Sequence, residues 1–358
     1  MYAINSEQII GSYAVKYSRL IKLVNIEYAN CNSSVINIFI DLTDIIKRLN
    51  IDHVEISTPY SIAASIINLC AHYRNFFREY YKTYARIFIV LSEINENSIN
   101  TKSFPKYRRL LYGDNPKKNS MINDALKLVQ LLIPYIEDIH YQYTNFEFGV
   151  VIKEIITWEL TNENKEPIPG LIITKDPYNY QMVSNDECMM KILRPYKVNG
   201  EDESFMVTYT DAITMECYAR KLVNADLSLQ ANSISYELLP LINALTRVPE
   251  RGIPSLHQLP TAISAIYKLV SGKLIMNSYT NDIEYICNLL IKKKLLNVKD
   301  PSLIRARFNA IDLDTQFIAW QSMGMASYTG MVNLYDPEAV KEISMKYFKD
   351  NPLDLNVL

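Results

Sequence analysis

The sequence predicts an α/β fold, a parallel sheet flanked by helices, joined to a mostly helical C-terminal subdomain. Three features carry that reading. Apolar runs rich in β-branched residues recur at Val35–Asp41, Arg86–Leu91 and Leu171–Thr174. Between the first two lies a stretch with apolar residues at helical spacing, and strand, helix, strand in that order builds a right-handed parallel unit buried on both faces. After residue 233 the strand signals fade.

Val35-Ile36-Asn37-Ile38-Phe39-Ile40-Asp41 is too short for a typical helix and ends on a carboxylate, which predicts a buried strand. Ser61 to Tyr84 predicts a helix through Ile62, Ile66, Leu69, Cys70, Tyr73, Phe76, Phe77 and Tyr80, and Arg86 to Leu91 the second strand. Ser92 to Asn119 turns polar and holds the most cationic stretch of the chain, Tyr107-Arg108-Arg109 and Pro116-Lys117-Lys118, so it reads as a long excursion from the sheet. Met121 to Ile139 and Phe148 to Leu160 predict helices, Asn162 to Gly170 a loop, and Leu171 to Thr174 a third strand with Asp176 close behind. Further on, Leu238–Leu245, Thr261–Val270, Asn281–Leu296 and Pro337–Phe348 have helical character, while Arg247 to Pro260 is broken by three prolines and a glycine. The expected division is residues 1–233 for the α/β domain, with its excursion around 93–145, and residues 234–358 for the helical subdomain.

Composition narrows the function classes. At 358 residues, 49% hydrophobic and 21% charged, the chain buries enough apolar surface to fold without disulfides or metals. Five cysteines, widely scattered and without a Cys-x-x-Cys pair, speak against a disulfide framework or a structural zinc site. Met1 to Leu23 has no apolar core of a signal peptide, and no run approaches the roughly 20 apolar residues of a membrane span, so a cytoplasmic location with no membrane partner is expected. A net charge of −2 excludes coating of nucleic acid by a global basic field, and any such contact must be local. Twenty-six tyrosines against two tryptophans and nine glycines are what an AT-rich coding sequence produces, which favours a phage, a virus or an AT-rich bacterium. A viral chain would work in the host cytoplasm or the virion. No P-loop, Gly-x-Gly-x-x-Gly or Ser-His-Asp signature is present, and the four histidines share no metal spacing. His140 reads as a surface residue at a helix end.

In an open parallel sheet, ligands bind beyond the carboxyl ends of the strands. Asp41, Ser92-Glu93 and Asp176 each follow a predicted strand, and Glu147 opens the helix before the third, so the topology gathers them along one edge. Clustered carboxylates suit a hard cation such as Mg²⁺ or Mn²⁺, and two such ions about 4 Å apart activate water for phosphodiester cleavage. Acidic residues after strands are equally what helix N-caps require.

The order of these residues resembles the flap-endonuclease and 5′-nuclease family, the PIN-like nucleases that include bacteriophage 5′ exonucleases. Phe39-Ile40-Asp41-Leu42 is similar to the family's opening strand, whose terminal Asp is a metal ligand. Phe146-Glu147-Phe148-Gly149-Val150 resembles its Glu-Ala-Asp-Asp helix start, and Thr174-Lys175-Asp176-Pro177-Tyr178 through Gln181 and Val183 resembles Thr-Gly-Asp-x-Asp-x-x-Gln-Leu-Val. Leu238 to Val270 looks like the helix-hairpin-helix that grips duplex DNA, with Ile253-Pro254 in its turn. The resemblance spans about Asn37 to Val270 in the family's order, and it implies a PIN-like, 5′-nuclease-like sheet.

Departures run through the same motifs. Gly149 and Val150 replace two aspartates, Tyr178 replaces another, the second strand offers only the displaced Glu93, and Gln258-Leu259-Pro260 replaces the hairpin's Gly-Ile-Gly. The resemblance therefore implies a decayed metal site, with Asp41, Glu147 and Asp176 the remaining catalytic or metal-binding acids, Glu93 a substitute fourth, and Mg²⁺ or Mn²⁺ bound weakly or not at all. Tyr107, Arg108, Arg109, Lys117 and Lys118 fall where the family has the arch that threads single strands, and aromatic plus cationic residues suit stacking with phosphate contact. The expected function is binding of DNA or RNA, or of a protein partner, in a phage or viral replication, transcription or virion assembly. The alternatives are an active metal-dependent 5′ nuclease and a structural scaffold without nucleic-acid contact.

Overall fold

The computed structural model describes residues 9–24, 34–49, 58–93, 98–103, 116–162, 168–183, 190–207, 312–324 and 333–349, with isolated residues 288, 291, 292, 294, 306 and 353. In chain order the elements are α1 (Tyr17–Leu23), β1 (Val35–Asp41), α2 (Leu42–Lys47), α3 (Pro59–Phe76), β2 (Tyr84–Ser92), α4 (Ile99–Ser103), α5 (Pro116–Leu132), β3 (Ile139–Thr144) and α6 (Phe148–Asn162). They continue with β4 (Gly170–Ile173), a 3-10 turn (Pro177–Met182), β5 (Met190–Arg194), the hairpin strands β6 (Lys197–Val198) and β7 (Glu201–Asp202), β8 (Phe205–Val207), α7 (Leu313–Ser322) and α8 (Pro337–Tyr347).

The expected parallel sheet with helices is present, and it is wider than the three predicted strands. Its order is β3-β2-β1-β4-β5-β8, with the first five strands parallel and β8 antiparallel to β5. The three predicted strands lie together in its middle, largely buried on both faces, which is why their sequences are mostly apolar, with Asn37 and Arg86 the exceptions. β3 escaped the sequence reading because it is an edge strand: Ile139-His140-Tyr141-Gln142-Tyr143-Thr144 is half exposed and mixes polar with apolar residues. The helix expected to run to Ile139 stops at Leu132, and Asp138, with φ of 62°, turns the chain into β3. His140 is accordingly a strand residue stacked on Phe88 at 5.0 Å, not a helix-end surface histidine. Likewise the helix from Ser61 ends early: α3 passes through a π turn, Phe77–Tyr81, and Lys82 at φ 54° stops it before β2.

Alternation along the strands divides the core. One face, Ile36, Ile38, Ile40, Ile87, Ile89, Leu91 and Ile173, packs with Ile62, Ile66 and Leu69 of α3, Ala125 and Val129 of α5, and Leu20 of α1. The opposite face carries Phe39 stacked on Phe88 at 5.2 Å and a buried polar knot toward α6. In that knot, Asn37 Nδ2 donates to Glu159 Oε2 at 2.6 Å, Arg86 Nε donates to Asn37 Oδ1 at 2.9 Å, and Arg86 Nη2 pairs with Glu159 Oε1. Gly170 lies beside it, where a Cβ would meet the Met190 thioether at 2.4–2.6 Å, so a side chain there would require the end of Met190 to shift.

α8 occupies the predicted Pro337–Phe348 helix and is held near α5 through Leu334 N–H to Pro134 O at 2.7 Å and Asp336 N–H to Tyr135 O at 3.0 Å. The hairpin module expected around 238–270, and with it the boundary at residue 233, lies outside the described residues. Among the described residues no helix is long and apolar enough to cross a membrane.

Candidate functional site

The carboxyl ends of the parallel strands line up. Ile40 pairs with Ile173, so Asp41 and Thr174 sit side by side on β1 and β4, and Ser92 at the end of β2 pairs with Thr144 of β3. Asp41, fully buried, doubles as the N-cap of α2: its Oδ1 accepts from the Asp44 N–H at 3.0 Å. Asp176 is the N-cap of the 3-10 turn, and its Oδ1 accepts from the Tyr178 N–H at 3.1 Å. The capping role of these acids is therefore realised at both strand ends.

Thr174 joins the two. Its hydroxyl donates to Asp41 Oδ2 at 3.2 Å and accepts from the Asp176 N–H at 3.0 Å and from Asn179 Nδ2 at 3.2 Å. Asn179 Nδ2 also reaches Asp41 Oδ2 at 3.1 Å. Asp41 and Asp176 thus share one notch, with Asp41 facing an amide N–H, a hydroxyl and a carboxamide of its own chain. Glu147, 1% exposed, stands at the start of α6, whose Gly149 is so near the 3-10 turn that a Cβ would lie 3.3 Å from Asn179 Oδ1. Glu93 is half-buried beyond β2, and its N–H continues the ladder to Thr144 O at 2.7 Å.

A second carboxylate pocket adjoins the first. Asp44, 2% exposed, accepts from the Tyr13 hydroxyl at 2.6 Å, the Lys175 N–H at 2.6 Å and Arg48 Nε at 2.9 Å. The Lys175 ammonium donates to Ser12 Oγ at 2.6 Å and stands 4.6 Å over the Tyr13 ring. Burial pushes Lys175 down to about 8; Asp44 opposes the shift, while Arg48, Arg194 and Lys197 add to it by like-charge repulsion. Those three cations come from the end of α2, the end of β5 and the β6–β7 hairpin. Arg194 is placed by Tyr180, lying 5.8 Å from its ring centroid with Nη1 on its hydroxyl.

Whether these residues fit a pair of divalent ions is a question of oxygen ligands. The carboxylates of Asp41, Asp44 and Asp176 already accept hydrogen bonds from the protein, and Gly149 and Tyr178 bring no carboxylate. Among the described residues no group of three or more His, Cys, Asp or Glu side chains is arranged to hold a metal ion.

Of the five predicted nucleic-acid residues, Tyr107, Arg108 and Arg109 lie outside the described residues. Lys117 is in the first turn of α5, and Lys118 makes a long, 3.5 Å bond to Leu49 O. Sequence reasoning missed Asp44, Arg48, Lys175, Asn179 and Arg194. The i,i+4 spacing of Asp44 and Arg48 was a usable signal for one pair. Nothing in the sequence linked Tyr13 to Asp44.

The Lys175 environment makes a testable statement about pH. Its folded pKa lies below the ordinary 10.5, so between about 8 and 10.5 the unfolded chain holds the proton that the folded protein has released. Stability from this group therefore rises with pH across that window. Cys70, pushed up to about 12 by burial, acts in the opposite sense and is common to both proteins. In urea unfolding, Lys175→Met is expected to be more stable than the parent at pH 8, with the difference shrinking toward pH 10; a pH-independent difference would refute the assignment.

No family model and no curated protein sequence matches this chain. Among solved structures it is similar to the bacteriophage T5 flap endonuclease in a pseudo-enzyme-product complex with DNA and metal ions, at 12% identity and a TM-score of 0.47, over 88% of this chain and 99% of that one. It is also similar to the T5 5′-exonuclease with bound zinc, at 8% identity, a TM-score of 0.45 and coverage of 88% and 98%. Human GEN1 in complex with Holliday junction DNA follows at 10% identity and a TM-score of 0.39, over 87% of this chain and 68% of that one. At TM-scores below 0.5 these likenesses decide nothing about activity.

Proposed function

We propose that the chain is a nucleic-acid-binding protein of 5′-nuclease-like fold whose metal site has decayed, so that it holds a strand without cutting it. One observation carries the reading: at the sheet's carboxyl edge the acids are bonded to the protein's own donors, Arg48 and Lys175 stand at Asp44, and Arg194 and Lys197 are near enough to Lys175 to repel its charge. A notch that keeps two metal ions needs free carboxylate oxygens. An edge that carries its own guanidinium and ammonium groups suits phosphate oxygens instead. Lys175, Arg194 and Lys197 are all partly exposed, so each can reach a phosphate oxygen.

The test is binding of a labelled 5′-flap DNA and of a single strand across a salt series, with Mn²⁺ present. The expected result is an intact substrate and affinity that falls steeply with salt. Each lost single-strand phosphate contact lowers the log–log slope by about 0.7, so Arg194→Gln with Lys197→Gln should lower it by about 1.4. Cleavage that disappears in Asp176→Ala would establish the active nuclease, and absence of binding at about 50 mM salt would leave a scaffold role.

A further inference from the structure

One element near the notch remains unexplained by nucleic-acid binding. α7, far away in sequence, packs on α6 and α4 and touches the start of α6 at Gly149 and the 3-10 turn at Tyr178 and Gln181, the two segments that follow Glu147 and Asp176. Leu313, 2% exposed, presses its methyl groups on the Gly149 backbone: a Cβ at Gly149 would lie 2.8 and 2.9 Å from Leu313 Cδ1 and Cδ2. Leu313 N–H reaches Gln181 Oε1 at 3.4 Å, Gln316 Nε2 donates to the Tyr178 hydroxyl, and Lys153 of α6 pairs with Asp314. Trp320, fully buried, stacks on Phe146 at 4.8 Å. Leu313 and Tyr178 thus fill the space between α7 and the segments that carry the notch acids.

The seat is also imperfectly satisfied. Asn179 Oδ1, beside Leu313, and Trp320 Nε1 are buried with no hydrogen-bond partner. A buried polar group left unbonded is destabilising, and water satisfies it when the site opens. Burial likewise disfavours the charged forms of Lys153 and Asp312, the residue that caps α7 by accepting from Thr315 N–H at 3.0 Å and Thr315 Oγ1 at 2.6 Å. Docking therefore holds through Leu313, Phe317 and Trp320, a contact with α4 and a few polar bonds, and undocking relieves two orphaned atoms and two desolvated charges. That balance is what a reversible contact requires.

We propose that α7 is a detachable cap over the acidic end of the sheet, which closes the notch when docked and opens as a unit to admit a nucleic-acid strand. The identity of the entering ligand rests on the function proposed above; the opening does not. Hydrogen exchange on the full chain, without nucleic acid, tests it. Amides of Leu313–Ser322 and Tyr178–Met182 are expected to exchange together, at least tenfold faster than those of β1 and β2. In Leu313→Asp, the first turn of α6 and the 3-10 turn should exchange at least tenfold faster still, with β1 and β2 unchanged. Exchange of α7 only at the rate of the central strands, or loss of strand protection in Leu313→Asp, would show α7 to be a fixed part of the core and overturn the proposal. A failure to bind nucleic acid would leave this result standing and remove only the function.

Discussion

Glu159→Ala is expected to lower the folding stability by about 3–5 kcal/mol, the range for stripping one partner from a buried ion pair. Glu159 is 6% exposed and is the sole carboxylate of the knot described on that face, accepting from Asn37 Nδ2 with one oxygen and from Arg86 Nη2 with the other. Alanine leaves the Arg86 guanidinium facing Phe88 at 5.9 Å without its counter-charge, and Asn37 without an acceptor, between two central strands. A urea titration measures the loss. Arg86→Met in the same background should recover part of it, because the stranded charge is then gone. A single variant within about 1 kcal/mol of the parent would show that water reaches the knot.

Asp41→Ala is expected to destabilise by about 2–4 kcal/mol, since it strands the Asp44 N–H, the Thr174 hydroxyl and the Asn179 carboxamide, each at about 1–3 kcal/mol with some relaxation. The sign matters more than the size. Carboxylates gathered for metal ions repel one another when the ions are removed, and deleting one relieves that repulsion. At Asp41 the neighbours are donors, so deletion should harm. Asp41→Asn keeps one acceptor oxygen and should lose less than Asp41→Ala. A thermal melt of Asp41→Ala at or above the parent would overturn the reading of this end of the sheet as self-satisfied.

How much of this was legible in the sequence depended on how uniform each residue's surroundings are. β1, β2 and β4 were read correctly because strands buried on both faces are apolar at nearly every position, Asn37 and Arg86 being tied into their own polar knot. β3 and β5 were not: β3 has one neighbour and a mixed face, and Met190–Arg194 is a short run with charges at Lys191 and Arg194. The acidic ends of β1 and β4 were legible as a shared edge because parallel topology puts them there. What those acids bond to was not legible. Thr174, Asn179 and the Asp44 N–H meet Asp41 through a strand pairing and a 3-10 turn that no periodicity announces. α7 escaped for a related reason: its burial is confined to Leu313, Gln316, Phe317 and Trp320, and its outer face leaves Ile318 in solvent, so its apolar content does not mark one face.

The N-terminal segment has a consequence for biosynthesis. Lys16 N–H bonds to Asp202 Oδ2 at 2.9 Å and Arg19 Nε to Ser204 O at 2.8 Å, partners separated by 186 and 185 positions. On a ribosome adding about 5–20 residues per second, α1 emerges roughly 10–40 s before the hairpin that receives it. During that interval Ile9, Ile10, Tyr13 and Leu20, all buried in the finished protein, lack part of their final covering. Nascent chains paused before residue 202 are thus the stage at which a chaperone has most to hold.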